Sequence, residues 1–207
     1  MEVEKGSTIL FQGDSITDCG RSRNHNEDLG SGYAGMIAAN FNARYPEKNI
    51  TFLNRGISGN RVKDLKKRWQ EDCLDLKPDI VSILIGINDC WRRYDSNDPT
   101  SAQKFKKDYR IILNQIHQNL EADIILGEPF LLPVREEQKQ WREDLDPKIQ
   151  VVRELAREFN TEFIPLDGIF ARAAVKKEPK YWAEDGVHPT AAGHALIAEN
   201  WLKIIEK

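Results

Sequence analysis

The sequence has no apolar run near the roughly 20 residues a membrane-spanning helix needs. Cysteine is scarce. Cys19, Cys73 and Cys90 are odd in number and show no Cys-x-x-Cys spacing, so neither a disulfide framework nor a zinc site is expected. That usage fits a reducing compartment, and the cytoplasm is the expected location. The opening stretch Met1-Glu2-Val3-Glu4-Lys5 is charged, so it offers no signal-peptide pattern. No sign of charge dominates: 30 Lys and Arg stand against 33 Asp and Glu, interspersed, for a net charge of −3. This gives no footprint for nucleic acid and no polybasic membrane anchor. Internal repeats and low-complexity linkers are absent as well.

What is present is ordinary for a globular chain, 40% hydrophobic and 30% charged over 207 residues. That length suits one domain, residues 1–207, able to bury about 70% of the surface its unfolded chain exposes. Apolar β-rich runs alternate with helical stretches. Strands are predicted at residues 7–12, 49–53, 80–85, 123–127 and 161–166. Helices are predicted at 33–45, 61–74, 101–120, 147–159, 168–175 and 191–205, the last with Ala195, Ala198, Leu202 and Ile205 on one face. The pattern predicts an α/β fold with a five-stranded parallel sheet and right-handed crossovers. Ile80-Val81-Ser82-Ile83-Leu84-Ile85 is apolar enough to be a central strand covered on both faces. Residues 18–32 form a long polar loop, and long loops are often functional.

In such sheets ligands bind beyond the carboxyl ends of the strands. Three turns fall there: Gly13-Asp14-Ser15, Gly56-Ile57-Ser58-Gly59-Asn60 and Gly86-Ile87-Asn88-Asp89. Gly13 permits a sharp turn, and Asp14, Ser15 and Thr17 suit a helix cap. A serine at that point also meets unpaired backbone N–H groups, a setting for a nucleophile. Such a serine needs a base, itself oriented by a third group. Of four histidines, His25 reads as solvated loop, and His117 and His194 as residues within helices. His188 differs. It lies in Asp185-Gly186-Val187-His188-Pro189, where Asp185 can fold back onto the ring; the same stretch also reads as a helix-start signal. The Gly59 and Asn88 turns are ordinary turn chemistry, or else donors for an oxyanion.

Gly13-Asp14-Ser15, Gly59, Gly86-Ile87-Asn88-Asp89 and Asp185-x-x-His188 together, in this order, resemble the four blocks of the SGNH hydrolases, the GDSL-type esterases and lipases. Ile16 stands where the name-giving motif has leucine. The resemblance implies a flavodoxin-like three-layer α/β/α sandwich. It implies Ser15 as nucleophile, His188 as base and Asp185 as its partner. An oxyanion hole would come from the Ser15 and Gly59 N–H groups and the Asn88 side chain. Asp14 is expected to be structural. No metal and no organic cofactor are implied.

The stretches from Phe11 to Arg21 and from Gly86 to Arg92 are similar to a narrower set, intracellular bacterial acetylxylan esterases. That similarity implies a small-molecule ester substrate, an O-acetyl group on a xylo-oligosaccharide, and self-association into a homo-oligomer. Trp91, Tyr94, Tyr181 and Trp182 are placed to flank the serine, or to pack loops over the sheet edge, with Trp141 in a nearby loop. A lipase, lysophospholipase or acyl-thioesterase would use the same residues but needs an apolar groove, for which the sequence shows no lining loop. A non-catalytic binding protein would not need the full set.

Overall fold

The computed structural model describes residues 1–205. In chain order the elements are β1 (Thr8–Gly13), α1 (Ser15–Asp18), α2 (Tyr33–Arg44), β2 (Thr51–Asn54), α3 (Val62–Asp72), β3 (Ile80–Leu84), α4 (Ile87–Asp95) and α5 (Ala102–Asn119). They continue with β4 (Asp123–Gly127), α6 (Glu136–Gln140), α7 (Arg142–Glu158), β5 (Glu162–Ile164), α8 (Leu166–Lys176), α9 (Pro179–Trp182) and α10 (Ala191–Ile205). The five strands are all parallel, in the order β2-β1-β3-β4-β5. This is the flavodoxin-like order, with the switch point between β1 and β3.

The period of two along each strand divides the core into two layers. On β1, Ile9 and Phe11 face one layer and Leu10 the other. On β3, Ile80 and Leu84 share the layer of Phe11, while Val81 and Ile83 join Leu10. Helices α2, α8 and α10 cover the first layer with Tyr33, Ile37, Phe41, Phe170, Ile197 and Trp201. Helices α3, α5 and α7 cover the second with Leu65, Trp69, Tyr109, Ile112 and Val152. Each such large side chain, when fully buried, contributes about 1.5–3 kcal/mol. Ser82 is the polar exception in β3. Its Oγ accepts the indole N–H of Trp201 at 3.0 Å, which satisfies both groups in the dry layer.

Three expectations are corrected. Gly86-Ile87-Asn88-Asp89, read as a turn, leads straight into α4, which no helix expectation covered; its inward Asn88 and Asp89 interrupt the apolar pattern that would have marked a helix. Helix α7 starts at Arg142, so Pro147 lies inside it rather than at its start. Buried Trp141 and Leu145 anchor the earlier turn against the core, and the backbone bond that proline forgoes falls near the helix start. On α10, Ala195 is exposed; the inward face is His194, Ile197, Ala198, Trp201, Leu202 and Ile205.

Candidate active site

Strand β1 delivers its last residue, Gly13, into a space with no room for a side chain. A Cβ there would come within 2.2 Å of Thr17 Oγ1 and 2.4 Å of the Leu84 carbonyl oxygen. The chain turns at once. Asp14 caps the single turn α1, its Oδ1 accepting the Ile16 N–H at 3.0 Å. Asp14 is buried, and burial pushes its pKa up to about 7 against the Ile16 N–H and the charge on His188. Its role as a structural cap matches the sequence expectation.

Ser15 follows, with its hydroxyl on the rim. Ser15 Oγ lies 2.9 Å from His188 Nε2, across 173 residues of sequence. His188 Nδ1 lies 2.7 Å from Asp185 Oδ2. A carboxylate at Nδ1 selects the Nδ1–H tautomer, which leaves Nε2 as an acceptor for the serine O–H. The other Asp185 oxygen accepts the backbone N–H groups of Val187 at 2.9 Å and His188 at 2.7 Å. The turn and the carboxylate rotamer are thereby one unit. Burial works to raise the Asp185 pKa, but the His188 ring, these two N–H groups and the imidazole charge hold it well below the usual carboxylate range. The bond from Asp185 raises the pKa of His188, against partial burial and with help from the charges of Asp185 and Asp14.

The two other rim turns sit beside β1, because β2 and β3 are its neighbours. Ile57 N–H donates to the Gly13 carbonyl at 3.1 Å. Gly59 has φ +80°, a left-handed conformation that favours glycine. Asn88 is buried in the first turn of α4, and its Nδ2 donates to the Asn60 carbonyl at 3.2 Å. An amide nitrogen carries two N–H groups, so one remains for a ligand. Two charged residues hold this corner: Asp89, part of the Gly86–Asp89 turn but given no role by the sequence, and Arg68, which sequence reasoning missed. Asp89 Oδ2 accepts the Val62 N–H at 3.0 Å, and Arg68 donates to Asn60 Oδ1 at 2.9 Å and to Gln12 Oε1 at 3.1 Å. Their only sequence signal was charge on otherwise inward helix faces.

The remaining histidines stand aside. His25 and His117 are exposed. His194 is buried, accepts the Tyr33 N–H at Nδ1 (3.1 Å) and sits 3.4 Å from Cys19 Sγ through Nε2. Burial lowers its pKa to about 4, so it is neutral. Of the aromatic residues, Trp91 lies nearest the base, its ring centroid 5.9 Å from that of His188. Trp91 packs on Trp141, which stacks on Tyr94. Trp182 instead donates its indole N–H to the Lys177 carbonyl and meets Tyr181 edge-on.

A hydrogen-bonded Ser–His–Asp chain on the rim of this sheet order now has counterparts among known proteins. Residues 11–196 match the GDSL-like Lipase/Acylhydrolase family. The chain belongs to that family. It is accordingly a carboxylic ester hydrolase by family. It is 40% identical to an acetylxylan esterase from Geobacillus stearothermophilus over 212 residues, covering 99% of this chain and 96% of the relative. The crystal structure of an acetylxylan esterase from that organism superposes with a TM-score of 0.92 at 38% identity, covering 100% of this chain and 97% of the other. A Parabacteroides merdae structure, named as a GDSL-like lipase, superposes at 0.94 with 38% identity, covering 100% and 99%. Alanine variants of the Geobacillus esterase at a serine, a histidine and an aspartate are named catalytic mutants. Both layers of helices and the parallel sheet fit the family's α/β/α fold.

Proposed function

We propose that this acylhydrolase is an acetylesterase that removes O-acetyl groups from short xylo-oligosaccharides through an acetyl-enzyme on Ser15. The observation that carries the reading is the hydrogen-bonded sequence Ser15 Oγ, His188, Asp185 in a chain so similar to an acetylxylan esterase. Ser15 Oγ attacks the acetyl carbonyl carbon while His188 Nε2 takes the hydroxyl proton. The resulting oxyanion is met by the N–H groups of Ser15 and Gly59 and the free N–H of Asn88. The bond to the sugar oxygen then breaks, and the imidazolium returns its proton to that oxygen. Water enters, gives its proton to His188 and attacks the acetyl carbon; acetate leaves, and Ser15 recovers its proton. Asp185 holds the tautomer and stabilises the imidazolium throughout. The steps use no metal and no organic cofactor.

Trp91, half-buried and beside His188, supplies an apolar face suited to a sugar ring. The reading takes residues 1–207 as one domain, acting in the cytoplasm as a homo-oligomer, with no nucleic-acid or membrane partner. Among the described residues no helix is long and apolar enough to cross a membrane. The test is hydrolysis of p-nitrophenyl acetate against the octanoate, beside acetate release from acetylated xylo-oligosaccharides. Fast acetate cleavage, weak octanoate cleavage and sugar deacetylation are expected. Preference for octanoate would replace the acetylesterase reading with a lipase or thioesterase on the same triad.

A further inference from the structure

Asp185 and His188 lie in the segment between α9 and α10, outside the sheet, so something beyond strand pairing must fix them. The segment closes on itself through the antiparallel bridge Ala183–Pro189 and buries Val187, and two hydrogen bonds hold its turn from outside, both from the segment that follows β4. Leu132 N–H donates to the Gly186 carbonyl at 2.9 Å. The Gln138 side chain, on α6, donates from Nε2 to the Asp185 carbonyl at 2.7 Å. Gln138 is fully buried, and its Oε1 accepts the backbone N–H groups of Val134 at 3.0 Å and Arg135 at 3.1 Å. Three partners, two donors and one acceptor, leave the amide a single workable orientation. Gly186, at φ +87°, completes the fit: a Cβ there would meet the Leu132 carbonyl oxygen at 2.5 Å and Gln138 Oε1 at 2.9 Å. The base-bearing turn is thus pressed directly onto this one side chain.

We propose that Gln138 is a positioning residue for the Asp185–His188 pair, acting through the Asp185 backbone to hold the imidazole in line with Ser15. The inference rests on the triad reading above. The chain of effect is short. Gln138 fixes the Asp185 carbonyl, and hence the backbone at Asp185. That backbone fixes the carboxylate, which is itself tied to the Val187 and His188 N–H groups. The carboxylate then fixes the ring. Losing the amide leaves one carbonyl and two N–H groups without their partner in a half-buried site, and the turn shifts to regain partners. Shifts on the order of 1 Å at a reacting group cost about 100-fold in rate.

The experiment compares Gln138→Met, which removes all three bonds at similar volume, with Gln138→Glu, which keeps the acceptor and removes the donor to Asp185. Active sites are counted with an organophosphate, folding is checked by circular dichroism, and p-nitrophenyl acetate turnover is followed against pH. Per active site, kcat is expected to fall about 10- to 100-fold in both variants, with KM changed less than threefold. The acid limb of the pH profile is expected to move to lower pH in the Met variant, because a loosened Asp185 raises the His188 pKa less; in the Glu variant the added carboxylate opposes that shift. The other charge that reaches His188, from Asp14 beneath the serine, is untouched by either change, and His194 on α10 is neutral. Unchanged kcat per site in either folded variant, or an unchanged acid limb in the folded Met variant, would overturn the proposal, and so would a loss confined to KM. A wild-type enzyme that ignores Ser15→Ala would instead overturn the triad reading, which separates the two failures.

Discussion

The proposed nucleophile and the proposed base are held in two different ways. Ser15 sits directly after β1, which is paired on both sides and carries Ile9, Leu10 and Phe11 into the two apolar layers. His188 sits outside the sheet, its side chain 45% exposed, and Asp185 beside it is 38% exposed. One half of the site takes its geometry from a central strand, the other from polar contacts around a turn whose apolar anchor is the single side chain of Val187. Function at the second half is therefore less tied to stability than at the first.

The sharpest check on that contrast comes from the catalytic side chains themselves. Ser15→Ala and His188→Ala are each expected to lose about 10⁴-fold or more in kcat. Asp185→Asn should lose a similar amount through the wrong imidazole tautomer, with only a modest fall in the thermal midpoint, because the amide keeps an acceptor for the Val187 and His188 N–H groups but loses the stabilising charge. Scanning calorimetry beside ester hydrolysis reads both, and a large fall in midpoint for Asp185→Asn would break the contrast. Asn88→Ala should cost about 10²–10³-fold in kcat, the loss of one oxyanion donor.

The core-held half responds in the other currency. Gly13→Ala places a methyl against Thr17 Oγ1 and the Leu84 carbonyl oxygen, and about 1–3 kcal/mol of destabilisation is expected from denaturant titration. The other core-held effect, at Asp14, depends on pH. Its pKa rises from 3.8 to about 7 on burial, so between those values the folded state holds more protons than the unfolded state. Stability contributed by this group therefore falls as pH climbs through that window. Asp14→Asn keeps a good cap and removes the titration. Relative to wild type, the variant should gain stability steadily from pH 4 to 7 and then level off, as melts at a series of pH values would show. A constant difference across the range would contradict the buried-carboxylate account.

The same contrast explains what the sequence disclosed. Strand runs such as Ile80–Leu84 and the amphipathic α3 were legible because burial imposes a period. The parallel sheet followed from the alternation of strands and helices, and its flavodoxin-like arrangement from the family resemblance. Gly13-Asp14-Ser15 and Asp185-Gly186-Val187-His188 were legible because each is a local unit, a cap and a turn whose partners lie within a few residues. Helix α4 was not, since its inward residues Asn88 and Asp89 are polar and serve the neighbouring turn. The supports Arg68 and Gln138 were not legible either. Their partners, Asn60 and Asp185, are met only after folding, and a lone Arg or Gln in a charged helix carries no mark of that use. Pro147 misled because a proline inside a helix is rarer than one at its start.

The central claim is that Ser15 is the nucleophile and that His188 activates it across the rim. The most direct measurement treats the protein with diethyl p-nitrophenyl phosphate and maps the adduct by peptide mass spectrometry. One diethylphosphoryl group on Ser15, formed at a rate that collapses in His188→Ala, is the expected result. An adduct on another residue, or labelling of Ser15 at an undiminished rate without His188, would contradict the account.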